Sequence, residues 1–141
     1  YFDEVAAAYK ALPGGTPEAV VVRGYEDNMG DAFAAAALVL ARSGSSTLAE
    51  LCAVGKPSLL VPSPNVTDNH QEANARGLER AGAAEVVVEA GLNASTVANR
   101  ISVLLHDAER LSAMGAAARG LARPEVAREV ADLVLARFPS A

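Results

Sequence analysis

The sequence predicts a doubly wound α/β unit with a helical C-terminal tail, and three observations predict it. Four short apolar runs, EAVVVR (18–23), LVLA (38–41), KPSLLVP (56–62) and AEVVVE (84–89), alternate with longer stretches of helical spacing. Continuous apolar strands of this kind are those of a parallel sheet buried on both faces. Beyond Gly91 the alternation stops and only helical patterns follow. Strands alternating with helices make an α/β sheet, and its ligands bind outside the carboxyl ends of the strands.

The elements follow in order. FDEVAAAYKAL has apolar residues at Phe2, Val5, Ala6, Ala8, Tyr9 and Leu12, which is helical spacing, and PGGTP ends it. EAVVVR reads as the first strand, GYEDNMGD as a polar turn and DAFAAAA as a short helix. LVLA is the second strand. The loop RSGSS then leads into the helix TLAELCAVG. KPSLLVP is a strand with a proline at each end of its apolar centre, SPNVTDN a loop, and NHQEANARGLERAG a helix closed by Gly82. AEVVVE is the last strand. NASTVANRISVLLHD, AERLSAMGAAARGLA and PEVAREVADLVLARF read as three helices. Asn93 or Ser95 can cap the first of these, and Pro124 can sit in the first turn of the third.

Composition narrows the function. The chain has 141 residues, 51% hydrophobic and 21% charged, enough for one domain with a real core. Aromatics are only 4%, so that core is aliphatic. The net charge is −5 with no run of Lys or Arg, which argues against a nucleic-acid surface or a basic membrane-binding helix. The longest apolar stretch, AFAAAALVLA, is too short to span a bilayer. The lone Cys52 reads as a buried small hydrophobe, with a reactive thiol as the alternative. The first residue is Tyr1, so the chain is expected to start inside a longer protein.

Three loops fall at the carboxyl ends of the expected strands: RGYEDNM, RSGSS and SPNVTDNHQ. A short Gly/Ser loop entering a helix aims free N–H groups outward, and the helix dipole adds positive charge. Arg42 to Thr47 therefore suits a phosphate or diphosphate without a metal. It is neither a Walker A loop nor a GxGxxG fingerprint. Thr47-x-x-Glu50 fits a capping box. Alternatively, Glu50 accepts both hydroxyls of a ribose in charge-assisted bonds. After Pro62 and Pro64, Asp68 or Asn69 can cap the next helix, and His70, Gln71 and Asn74 share one of its faces. Those groups can read sugar hydroxyls, or they form a solvated helix face. In the first loop a backbone N–H and C=O pair could read a base edge with Tyr25 or Met29 packed on it, or the loop is an ordinary turn. Glu26, Asp27 and Asp31 have no matching His or Cys, so no metal set emerges. His106 reads as a surface or helix-end residue.

Taken together, GYEDNM, ARSGSSTLAELCAVGKPSLLVPSPNVTDNHQEANA and LERAGAAEVV resemble the donor-binding half of the MurG glycosyltransferases. The likeness runs from about Phe2 to the C-terminus and is densest from Gly24 to Val86. It implies a Rossmann-like parallel sheet, the C-terminal half of a GT-B fold, with residues 1–141 as one UDP-GlcNAc-binding segment. The activity it implies is inverting transfer of GlcNAc from UDP-GlcNAc to the 4-hydroxyl of lipid-linked muramyl-pentapeptide. That reaction serves peptidoglycan synthesis, and through it cell-wall biogenesis, cell shape and division. It needs no cofactor.

The resemblance also assigns residues. Glu50 would hold the ribose, and Ser45, Ser46 and Thr47 would line the nucleotide and diphosphate. The backbone of Glu26 would read the uracil edge with Met29 close by. His70 and Gln71 would contact GlcNAc hydroxyls, supported by Asn74, while Arg42, Ser43 and Gly44 would shape the loop. Some family members carry Gln at the position of His70. The family's donor domain opens with a strand, a Gly-Gly-Ser loop, a helix and a second strand that this sequence does not contain. The resemblance thus implies a sheet short of at least two strands, no catalytic residue in this segment, and no transfer by the segment alone. The acceptor lipid and the contact with the cytoplasmic face of the bacterial inner membrane, as a peripheral protein, would belong to the other domain. Two alternatives are a stand-alone donor subunit of another UDP-GlcNAc transferase and a non-catalytic nucleotide-sugar-binding module.

Overall fold

The computed structural model describes residues 1–138. It divides into two compact units, Tyr1–Ala32 and a larger one from Phe33 onward. In the first, helix α1 (Phe2–Lys10) carries Asp3 and Glu4 in its first turn and Lys10 in its last, the order that suits the helix dipole. Gly14 and Gly15 follow with φ of +88° and +79°, a left-handed turn that a Cβ would strain. No residue of this unit is buried.

EAVVVR does not form the expected strand; Val21 is 74% exposed. The reason lies in sheet topology. In a doubly wound sheet of order 3-2-1-4-5-6, a third strand pairs with the second and a fourth with the first. Among the described residues no strand precedes this segment, so its backbone has no ladder to join. Apolar composition alone does not satisfy backbone N–H and C=O groups.

Helix α2 (Met29–Ala35) leads in sequence from the first unit to the second. The second unit holds a three-stranded sheet of β1 (Val39–Ala41), β2 (Ser58–Leu60) and β3 (Ala84–Val86), in that order. Both pairings are parallel, with Leu40 opposite Leu59 and Leu59 opposite Glu85. The central strand β2 is wholly buried, as a run covered on both faces must be. Helix α3 (Ser45–Val54) connects β1 to β2, and α4 (His70–Arg80) connects β2 to β3.

Phe33, Leu48, Leu51, Leu60, Ala75 and Ala84 form the core cluster. Each fully buried leucine among them contributes about 1.5–3 kcal/mol over an exposed one. Cys52 is buried in α3, and burial pushes its thiol above the usual range, so it packs as a small hydrophobe.

The tail is helical as expected: α5 (Ala94–Leu105), α6 (Ala108–Gly120) and α7 (Val126–Arg137). Asn93 caps α5, accepting from the Thr96 N–H at 2.8 Å, and the Ser95 hydroxyl supports it at 2.6 Å. Asp107 caps α6 through the Arg110 N–H at 2.9 Å. Pro124 lies just outside α7, whose N-cap is Glu125, rather than in its first turn.

Candidate functional site

Two loops leave the carboxyl ends of adjacent parallel strands in the second unit. The first runs from β1 into α3. Its helix begins at Ser45 with Gly44 as an extended N-cap, three residues before the N-cap that Thr47-x-x-Glu50 suggests. Gly44 has no side chain to cap with, and its carbonyl accepts from the Leu48 N–H at 3.0 Å. The first-turn N–H groups of α3 are thus left without a side-chain cap, the condition that suits an anion. Ser45 and Ser46 are exposed there, and Thr47 is half-buried.

This start point excludes the capping box. A box needs its carboxylate three residues after the N-cap. Thr47, not Glu50, holds that position. Glu50 lies inside α3, exposed, with no hydrogen bond or ion pair among the described residues. It shares a helix face with Ser46 and Thr47, at i,i+4 and i,i+3 spacing.

Arg42 and Ser43 serve the loop's shape. The Arg42 guanidinium donates to the carbonyls of Val61 at 3.3 Å and Pro62 at 3.1 Å, and to the Glu89 carboxylate at 3.0 Å. It thereby joins the ends of β1 and β2 to the short 3-10 turn Glu89–Gly91. Ser43 is fully buried and donates its hydroxyl to the Gln71 carbonyl at 2.8 Å.

The second loop runs from β2 through the 3-10 turn Thr67–Asn69 into α4. Asp68 and Asn69 both adopt left-handed backbone, with φ of 54° and 50°. Asn69 is the N-cap of α4 by position, but its side chain does not cap; it donates to Glu72 at 2.8 Å. Asp68 does not cap either. His70 folds its ring back, placing Nδ1 2.8 Å from the Thr67 carbonyl. Gln71 accepts from the Ser63 N–H at 3.0 Å through Oε1. Asn74 is half-buried one turn along the same face.

Gln71 is therefore the junction of the two loops. Its carbonyl holds Ser43 of the first, and its amide oxygen holds Ser63 of the second. The structure brings together Arg42, Ser43, Gly44, Ser45, Ser46, Thr47 and Glu50 on one loop and helix start, and His70, Gln71 and Asn74 on the other.

Glu26 and Met29 belong to the first unit. The Glu26 carboxylate accepts from the Asn28 N–H at 3.1 Å and pairs with Arg23. The backbone N–H first, and Arg23 second, hold its carboxyl below the usual range. Asn28 caps α2 by accepting from the Asp31 N–H at 3.1 Å, and Met29 opens that helix, 43% exposed.

The sequence reading missed three partners here: Asn28, Ser63 and Glu89. Asn28-x-x-Asp31 carries a capping pattern that could have revealed the first. No local pattern announces the other two, because they act through a loop N–H and across 47 residues of chain. Among the described residues no cluster of three or more His, Cys, Asp or Glu comes together as a metal-ligand set.

With this geometry in hand, the likeness to known proteins is specific. The profile of the glycosyltransferase family 28 C-terminal domain matches residues 3–130. The chain is 43% identical over 135 residues to a UDP-N-acetylglucosamine–N-acetylmuramyl-(pentapeptide) pyrophosphoryl-undecaprenol N-acetylglucosamine transferase of Oenococcus oeni, covering 96% of this chain and 36% of that protein. It is 49% identical over 129 residues to the protein of the same name from Solidesulfovibrio magneticus, covering 92% and 35%. It superposes on the crystal structure of Acinetobacter baumannii MurG with a TM-score of 0.81 at 28% identity, over 94% of this chain and 38% of that one. The chain thus spans about a third of the length of the relatives it matches. The parallel sheet with flanking helices is the Rossmann-like architecture of the corresponding part of that structure.

Proposed function

Because the chain belongs to the glycosyltransferase family 28 C-terminal domain family, we propose that it is a donor-binding segment of a hexosyltransferase. Its donor is UDP-GlcNAc. The reaction of the whole protein is inverting transfer of GlcNAc to the 4-hydroxyl of a lipid-linked muramyl-pentapeptide. Residues 1–141 act in it as the C-terminal donor part. The acceptor lipid and the peripheral contact with the cytoplasmic face of the inner membrane belong to the part of the relatives that this match does not cover. Among the described residues no helix is long and apolar enough to cross a membrane.

The observation that carries this reading is the tie between the two loops. An uncapped helix start, with a carboxylate on the same face, is held against the start of α4 by Ser43 and Gln71. This suits a ligand with an anionic centre and hydroxyls to either side. The first-turn N–H groups of α3, with Ser45, Ser46 and Thr47, face the diphosphate, and Glu50 takes the ribose hydroxyls. His70, Gln71 and Asn74 take the sugar. A fixed helix N-terminus stabilises the charge that develops on departing UDP and needs no reorganisation at the moment of transfer.

Calorimetry with UDP and UDP-GlcNAc tests the reading. Both ligands should bind, and Glu50→Gln should weaken UDP about tenfold, or about 1.4 kcal/mol, with little change in melting temperature. Absence of binding at millimolar ligand would sink the donor site. Unchanged affinity in the variant would remove Glu50 from it.

A further inference from the structure

We propose, resting on the donor-site reading above, that Glu89 is a positioning residue: acting through Arg42, it fixes the separation of the two donor loops. Its one side-chain partner among the described residues is Arg42.

The end of the strand ladder creates the need for such a residue. The Val61 N–H donates to the Ala41 carbonyl and the Val87 N–H to the Leu60 carbonyl, each at 2.9 Å. Past these bonds, Pro62 and Pro64 have no N–H, and the Ser63 N–H is turned to Gln71 at 3.0 Å. Residues 62–64 thus keep no backbone donor for the loop that follows β1. The carbonyls of Val61 and Pro62 still need a partner, and Arg42 donates to both.

A single guanidinium nitrogen, Nη1, makes all of these contacts. It lies 3.3 Å from the Val61 carbonyl, 3.1 Å from that of Pro62 and 3.0 Å from the Glu89 carboxylate. Its two protons are shared among three acceptors, of which Glu89 alone is charged. The Arg42 side chain is 52% exposed, so without that charge water competes for it and its rotamer freedom returns.

The bond to Pro62 carries the effect into the site. The Pro62 carbonyl and the Ser63 N–H belong to one planar peptide. Arg42 grips one side of that peptide from the first loop, and Gln71 grips the other from α4. Glu89, in the turn that follows β3, brings the third strand into the same clamp. The carboxyl ends of all three strands are therefore tied, by backbone as far as Val61 and Val87 and by Arg42 beyond them.

Two measurements test this separately. In the ligand-free protein, Glu89→Ala should speed amide exchange at Ser63 about threefold, the size expected of an exposed ion pair. The Arg110 amide, capped by Asp107 elsewhere in the unit, should keep its rate. Unchanged exchange at Ser63 would overturn the proposal whatever the protein binds. The second measurement is UDP affinity by calorimetry, run as a double-mutant cycle with melting temperature followed alongside. Glu89→Ala should weaken UDP about threefold at a retained melting temperature. Added to Arg42→Ala, it should weaken UDP no further. Additive losses would mean that Glu89 acts other than through Arg42, and would overturn the proposal. Intact UDP affinity in Glu89→Ala refutes the positioning and leaves the donor site standing. Failure of the unaltered protein to bind UDP refutes the donor site, and the clamp then stands or falls on exchange at Ser63.

Discussion

Ser58 shows how one buried atom bears on stability. Its side chain is fully enclosed in β2, and its hydroxyl has no hydrogen-bond partner among the described residues. A buried hydroxyl without a partner forfeits its hydration and regains nothing. Ser58→Ala should therefore stabilise the protein by about 1 kcal/mol, seen as a higher midpoint in chemical denaturation. A lower midpoint would mean that the hydroxyl finds a partner in solution. Glu26 makes the contrasting case, since its carboxylate is satisfied by the Asn28 N–H and Arg23. These bonds favour the charged form and lower its pKa. A group whose folded pKa is depressed stabilises above its ordinary value and loses that contribution as pH falls through the lowered one. The Glu26 carboxyl should accordingly titrate below the ordinary glutamate value by carbon-13 NMR. The turn from Arg23 to Asp31 should loosen only once the pH passes under the ordinary carboxylate range.

At the scale of elements, the contact of α3 with α6 depends on two glycines. Gly55 ends α3 with φ of +66°, and a Cβ on Gly115 would lie 2.8 Å from the Gly55 carbonyl oxygen. Arg119 of α6 donates to the Val54 carbonyl at 2.8 Å, so α6 also satisfies the C-terminus of α3. Gly115→Ala forces backbone apart rather than a flexible side chain. It should cost about 1–3 kcal/mol, measured as a lower denaturation midpoint, and it acts on the helix that carries Glu50. The sheet edges differ in a related way. The outward Val86 N–H of β3 is taken by the Glu79 carboxylate at 3.1 Å. On β1, Val39 and Ala41 bond toward β2, so the backbone of Leu40 faces outward, and its side chain is 48% exposed. One edge is closed by a side chain and the other is open to a further strand.

At the scale of the whole molecule, stability is concentrated in the second unit. It holds every buried residue, including Leu51, Leu59, Leu60 and Leu104 at 0% exposure, while the first unit holds none. Amide exchange follows local opening free energy, which rises with buried contacts. The amides of Leu59 and Leu60 should exchange slowest and those of α1 fastest; equal protection in both would contradict the division. Much of this was legible beforehand. The apolar runs at 38–41, 56–62 and 84–89 and the helical periods between them marked β1, β2, β3 and their helices, because periodicity is local; the burial on both faces that such runs predict holds for the central β2 alone, since β1 and β3 are edge strands and stay partly exposed. The three loops and their order carried the family resemblance, since their residues are contiguous in the chain. Other features had no local cause. EAVVVR has the composition of a strand, yet a strand exists only where a neighbour completes its hydrogen bonds. Thr47-x-x-Glu50 has the spacing of a capping box, yet the helix starts at Ser45 with Gly44 as its N-cap, which puts Thr47 in the third helical position and Glu50 beyond the first turn. Sequence by itself determined which side chains stand at the carboxyl ends of the strands. Only the tertiary structure decided which of them are committed to holding the loops, as Arg42, Ser43 and Gln71 are, and which have no partner among the described residues, as Glu50 has none. A hydrogen bond is made by whichever group the fold brings within about 3 Å, and for the Ser43 hydroxyl that group is the Gln71 main-chain carbonyl, 28 residues away.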